Sequence, residues 1–218
     1  MGRWAEARDL VQDVLDRRRR ILGQDHPATL TAAHDLASNL RLLGEVQAAR
    51  ELDQDTLDRR RRVLGQDHPH TLQSASQLAM VLALLGEVQA ARDLAQDTLD
   101  RRRRVLGQDH PDTLDSLNNL GVHVRLRGEL QAARDLHQDA LERKLRVLGQ
   151  DHPSTLFTAN NLAADLRALG QAQAARDLDQ DTLDRRRRVL GQDHPDTLTS
   201  AGNLAADLSA LAEADDNT

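Results

Sequence analysis

Five Asp-His pairs recur 42 residues apart in this chain: Asp25/His26, Asp67/His68, Asp109/His110, Asp151/His152 and Asp193/His194. A carboxylate beside an imidazole is raw material for a zinc site or a general base. Each pair lies in the block Leu-Gly-Gln-Asp-His-Pro, and its prolines (Pro27, Pro69, Pro111, Pro153, Pro195) are the chain's only five. Zinc needs its ligands about 2.0–2.2 Å from one ion. Equivalent residues of stacked helices stand roughly 8–10 Å apart, so neighbouring pairs cannot share an ion. The block therefore reads as punctuation: a helix stop, a turn and a helix start. Proline suits the first turn of a helix, where its missing N–H would be unsatisfied anyway. Asp and His both precede it as N-caps, and spacing leaves open which one caps.

The second chemical signal is basic. Arg17–Arg20, Arg59–Arg62, Arg101–Arg104, Arg143-Lys144-Leu145-Arg146 and Arg185–Arg188 hold 19 of the 29 Lys and Arg residues. Such runs could meet phosphates. They are, however, preceded by acids at helical spacing. Asp55 and Asp58 lie four residues before Arg59 and Arg62, an arrangement that supports a helix by about 0.2–0.5 kcal/mol per pair. Aromatics for stacking on bases are confined to Trp4 and Phe157, and the formal charge is −6. Neither favours nucleic acid as a partner. The expectation is a solvated, salt-bridged face. Four consecutive helical residues span most of the circumference, so some arginine stems must cover seams between helices.

No other chemistry assembles. The sequence holds no His-Glu-x-x-His helix, no Gly-x-Ser-x-Gly elbow and no phosphate-binding glycine loop. His34, His70, His123 and His137 fall on different helices. There is no cysteine, which removes disulfides, zinc thiolates and thiol nucleophiles. No enzyme, cofactor or metal is expected. Met1-Gly2-Arg3-Trp4 opens no apolar leader and no run reaches membrane-spanning length, so the expected location is cytoplasmic.

The punctuation sets the elements. Leu72, Ala75, Leu78, Ala79, Leu82 and Leu85 form one apolar stripe at helical spacing, closed by Gly86. Val88, Ala91, Leu94, Thr98, Leu99, Val105 and Leu106 form a second, closed by Gly107. One period is thus helix A, turn, helix B, turn. The chain divides into a lone helix B (4–22), four A–B units (27–64, 69–106, 111–148, 153–190), a lone helix A (195–211) and a polar tail (213–218). This predicts ten helices in a single all-α solenoid of antiparallel pairs over residues 1–218. The two lone helices are complementary halves of one unit. Their faces point to head-to-tail self-association, or to a fragment of a longer array.

Helix A reads Asn-Asn-Leu-Ala-x-x-Leu-x-x-Leu-Gly from Asn160 to Gly170, and helix B follows as x-x-x-x-Ala-Arg-x-Leu. The whole chain resembles the tetratricopeptide repeat, in the 42-residue form of kinesin light chains and many bacterial proteins. The resemblance implies a right-handed superhelix with helix A lining a concave groove and helix B the convex face. Two columns depart from it. The aromatic usual after the mid-unit glycine appears as Trp4 but elsewhere is Val46, Val88, Leu130 and Ala172. The large residue usual in mid helix B is Asp53, Ala95, His137 and Asp179. These losses predict looser packing between units.

Helix A varies on one face. One column runs His34, Ser76, Asn118, Asn160, Gly202, and the next Asp35, Gln77, Asn119, Asn161, Asn203. A third runs Ser38, Met80, Val122, Ala164, Ala206, and a fourth holds Arg41, Arg125 and Arg167. The resemblance places these columns in the groove, where the asparagines would hydrogen-bond the backbone of an extended peptide. Side-chain amides both donate and accept, and the arginines would favour acidic groups or a terminal carboxylate. The unit Pro111–His152 is the outlier, with Gly121, Val122, His123 and Val124, Arg127 for a leucine, and Leu145 breaking the arginine run. It is where a specific contact is expected. The function implied is a protein–protein interaction scaffold for a peptide or helix, by itself or as a fragment of a larger bacterial signalling or regulatory protein. The alternatives are a self-assembling array or an engineered one with no natural ligand.

Overall fold

The structure, a computed structural model, describes the chain over residues 2–216 and its side chains over residues 8–213. The Trp4 side chain and the last residues of the predicted polar tail lie outside the described residues. Among the described residues there are ten helices: α1 (Gly2–Leu22), α2 (Pro27–Leu42), α3 (Val46–Leu64), α4 (Pro69–Leu84), α5 (Val88–Leu106), α6 (Pro111–Leu126), α7 (Leu130–Val147), α8 (Pro153–Ala168), α9 (Ala172–Leu190) and α10 (Pro195–Asp216). No strand occurs among the described residues. Even-numbered helices are the predicted A helices and odd-numbered ones the B helices.

The chain forms two compact units, Met1–Val105 and Leu106–Thr218. In unit 1, α1, α2, α3 and α4 pack consecutively and α2 touches α4. Leu15, Leu36, Leu40, Ala49 and Val81 form one core cluster, and Leu57, Leu78, Leu82 and Ala91 another that brings in α5. In unit 2, α6 through α10 pack consecutively and α6 touches α8, with Leu141, Ala159 and Leu162 clustered at its centre. The core is leucine and alanine, because small residues let helices of this composition approach closely.

Turn glycines end the helices as predicted. Gly44 sits at φ 82° and Gly65 at φ 92°, a region that costs a side-chain-bearing residue. The last A helix shows the converse. Residue 212 is Ala where the other copies have Gly44, Gly86, Gly128 and Gly170. Nothing there favours a left-handed stop, and α10 continues to Asp216, through the segment predicted as polar tail after Leu211.

The expected looseness at mid helix B is not what forms. Asp53, His137 and Asp179 are fully buried, and the seams they occupy are closed by polar contacts instead of aromatic ones.

Candidate functional site

The Asp-His-Pro turns resolve into two structural tasks. Histidine is the N-cap. Its Nδ1 accepts the N–H two residues on, from Ala28 to His26 at 3.1 Å, from Ser154 to His152 at 3.1 Å and from Asp196 to His194 at 3.2 Å. The aspartate reaches the next B helix. Asp25 is bridged by Arg59 and Arg62, each at 2.9 Å, Asp67 by Arg101 and Arg104, each at 3.0 Å, and Asp151 by Arg185 at 3.3 Å and Arg188 at 2.7 Å. Among the described residues no three His, Cys, Asp or Glu side chains group so as to hold a metal ion.

The runs Arg59–Arg62 and Arg185–Arg188 are divided by the helix into distinct roles. The first arginine takes the acid four residues earlier, as Arg59 takes Asp55 at 2.8 Å. The third takes an acid three residues earlier, as Arg61 takes Asp58 at 3.6 Å. The fourth pairs with the turn aspartate, so the predicted Asp58–Arg62 pair is replaced by Asp25–Arg62. The second points inward. Arg60 is 2% exposed, and its Nη1 donates to Ser74 Oγ at 2.8 Å and to the His70 carbonyl at 2.9 Å. Arg186 repeats this with Ser200 Oγ at 2.9 Å and the Asp196 carbonyl at 2.8 Å. Lys144 holds the place in α7, donating to Thr158 Oγ1 at 2.9 Å and Asp115 Oδ1 at 2.7 Å. Burial lowers its pKa, opposed by Asp115.

The variable columns fall partly on the surface and partly inside it. In unit 1, Asp35 is exposed and Met80 is 42% exposed. Arg41 and His34 are half-buried, and burial lowers the His34 pKa to about 4. Ser38 Oγ donates to Gln77 Oε1 at 2.9 Å, Gln77 Nε2 donates to Asp53 Oδ1 at 2.7 Å, and Ser76 Oγ bonds the Leu72 carbonyl at 3.1 Å. Asp53 is pushed up to about 7, chiefly by burial, with the Gln77 hydrogen bond opposing.

In unit 2, Asn119, Val122, Asn160, Asn161, Ala164 and Asn203 are half-buried, whereas Asn118 is 1% exposed. Asn161 Nδ2 donates to Asn118 Oδ1 at 3.0 Å, which links the two asparagine columns across α6 and α8. Arg125 and Arg167 are not free. Arg125 Nη1 meets Asp165 Oδ1 at 3.4 Å. Arg167 Nη2 meets Asp179 Oδ2 at 2.8 Å, and its Nε donates to Asp207.

Below these columns lies a polar interior that the variable-face reading missed. His137 of α7 stands between α6 and α8. Its Nδ1 is hydrogen-bonded to Asp165 and its Nε2 faces the Asn118 carbonyl at 3.0 Å. Gly121 makes the room, since a Cβ there would lie 2.6 Å from His137 Nε2. This accounts for the glycine in the outlier unit: it answers the histidine one helix later. The signal for Asp165 and Asp207 was available. Each lies three residues after a core leucine, Leu162 or Leu204, on the apolar stripe, where a carboxylate demands a partner.

A model of the tetratricopeptide repeat matches residues 1–62, 33–104, 70–146, 113–188 and 154–216. The chain belongs to the tetratricopeptide repeat family. A solved structure from Podosopora anserina, described as a kinesin light chain with nearly identical TPR-like repeats, is 28% identical over 86% of this chain and 88% of that one, with a TM-score of 0.72. BtubC (BKLC) from P. vanneervenii is 20% identical, covering 96% and 84% of the two chains, with a TM-score of 0.78. PlcR of Bacillus thuringiensis, solved in complex with the peptide PapR7 and DNA, is 14% identical over 94% and 74%, with a TM-score of 0.66. The last two likenesses are of fold. No match is found among curated protein sequences. No helix among the described residues is long and apolar enough to cross a membrane.

Proposed function

We propose that this repeat array is a protein-interaction scaffold without catalysis of its own, and that the A-helix face of unit 2 holds an extended peptide. The observation that carries the reading is the half-buried column Asn119, Asn161 and Asn203 on three successive A helices. Amides in such a row offer donors and acceptors to a peptide backbone. Val122 and Ala164 supply the apolar flank. Asn118 and Asn160 serve beneath as supports, and in unit 1 Asp35 and Met80 are the accessible members of the same columns. The complex of PlcR with a peptide supports the reading at the level of fold. An acidic ligand is less favoured than the sequence implied, because Asp165, Asp179 and Asp207 already engage Arg125 and Arg167. A cytoplasmic setting suits a chain with no cysteine.

The test is selection from a random peptide library on the wild-type chain, followed by affinity measurement on Asn119→Ala/Asn161→Ala. Enrichment of a peptide class and at least a tenfold loss in the double variant are expected. No enrichment, or enriched peptides that bind the double variant equally well, would sink the proposal.

A further inference from the structure

We propose that the docking of α10 on α9 is proton-linked: one proton held between the side chains of Asp179 and Asp207 is part of the folded interface, and α10 loosens when that proton leaves. The geometry is that of an acid pair with one cation. Asp179 of α9 and Asp207 of α10 are both fully buried. Arg167 of α8 is the cation bonded to both, through Nη2 to Asp179 Oδ2 at 2.8 Å and through Nε to Asp207 Oδ1. One oxygen on each carboxyl, Asp179 Oδ1 and Asp207 Oδ2, is buried with no donor in reach.

The surroundings supply the pair with no second hydrogen-bonded cation, and Arg186 attracts Asp179 only from a distance. From α9, Arg186 is the other charged group acting on the pair, but its Nη1 is committed to the Asp196 carbonyl and Ser200 Oγ. From α10, Asn203 offers only its carbonyl, which accepts from Arg167 Nη2 at 3.4 Å. Two buried carboxylates against one guanidinium leave a net negative charge away from water, a costly state. Both carboxyls meet at the one Arg167 guanidinium, and the proposed proton makes a hydrogen bond between them. Two carboxylates have no hydrogen to share, so that bond exists only when one is protonated. When the proton leaves, it passes to solvent, the carboxyl–carboxylate bond breaks, and two like charges face each other.

The direction follows from burial. Asp179 is pushed up to about 7, first by burial, then by its hydrogen bond to Asp207 and by repulsion from Asp207's charge, with Arg167 opposing. In the unfolded chain it titrates in the ordinary carboxylate range near 4. Between about pH 4 and 7 the folded state therefore binds a proton that the unfolded state does not. The stabilisation is complete at the acid end and is lost as pH rises through 7. This is the reverse of an ordinary salt-bridged aspartate, which loses stability as pH falls.

Hydrogen exchange of the full chain, read on α10 peptides across pH 5 to 8 and corrected for intrinsic rates, tests this. Relative to Asp207→Asn, wild-type protection of α10 should fall by up to about tenfold per pH unit toward pH 7 and level off above it. Asn at 207 donates to Asp179 at every pH, so the variant should lack that slope, as should Asp179→Asn. The 13C titration of the Asp179 carboxyl in the wild type decides independently of both variants. A midpoint near 7 is expected. A midpoint in the ordinary carboxylate range, or the same slope in wild type and Asp207→Asn, overturns the proposal.

Discussion

Unit 2 contains the same three-residue constellation twice, with different charge arithmetic. Arg125, His137 and Asp165 close the seam of α6, α7 and α8. Arg167, Asp179 and Asp207, each 42 residues further on, close the seam of α8, α9 and α10. In the first, one carboxylate lies between a guanidinium and an imidazole. In the second, one guanidinium lies between two carboxylates. The apolar frame is largely shared: Leu114, Leu120, Leu156 and Leu162 are buried around the first seam and Leu156, Leu162 and Leu204 around the second, where Leu198 is exposed. Changing one residue of mid helix B, from histidine to aspartate, turns a balanced seam into one that needs a proton. The lesson is that this array keeps its leucines fixed and differentiates its seams through the polar residues under them.

The largest effect should come from breaking the balanced seam. Asp165→Leu leaves the Arg125 guanidinium and His137 Nδ1 without their carboxylate, while His137 itself is fully buried. Removing one partner of a buried charge pair costs about 3–5 kcal/mol. Urea unfolding followed by hydrogen exchange in α6–α8 should show a loss of that size. A loss below about 1 kcal/mol would mean that the seam is held by its leucines and that the comparison has no energetic content.

A smaller effect isolates the room made for His137. Gly121→Ala adds a Cβ against a ring held from both nitrogens, and overpacking of this kind costs about 1–3 kcal/mol. Gly202→Ala is the matched control on α10, where a Cβ meets nothing within 4 Å. There the better helix former should stabilise by about 0.5–1 kcal/mol. Thermal shifts of opposite sign are expected for the two substitutions. Shifts of the same sign would show that helix propensity, not the fit around His137, decides Gly121.

The two seams also mark what could be read from the sequence. The helices, their order and nearly all their ends follow from the Leu-Gly-Gln-Asp-His-Pro ruler and the leucine stripes, because periodicity and glycine stops act locally. Variation on one helix face is visible without coordinates, but how deep each column lies is not: Asp35 and Met80 are exposed whereas Asn118 is buried. The seams are not visible either. His137 and Gly121 lie 16 residues apart on different helices, and nothing local ties them. The same holds for Arg125 and Arg167, which looked like free cations because their partners Asp165 and Asp207 come 40 residues later. The second basic residue of each run was expected to cover a seam by its stem. That it buries its charged end as well depends on Ser74, Thr158 and Ser200 in the following A helix.

The smallest effect serves as the control for the comparison. The caps at the starts of α8 and α10 are the same chemistry, with His152 Nδ1 accepting from Ser154 and His194 Nδ1 accepting from Asp196. A side-chain N-cap is worth about 1 kcal/mol. His152→Ala and His194→Ala should therefore each lower stability by about that amount and by equal amounts, read as loss of exchange protection in the first turns of α8 and α10. Equal losses would leave the interior charges as the source of any difference between the seams. A markedly larger loss for His194→Ala would locate the weakness of α10 at its first turn instead of at Asp207, and would weaken the case for a proton at the interface.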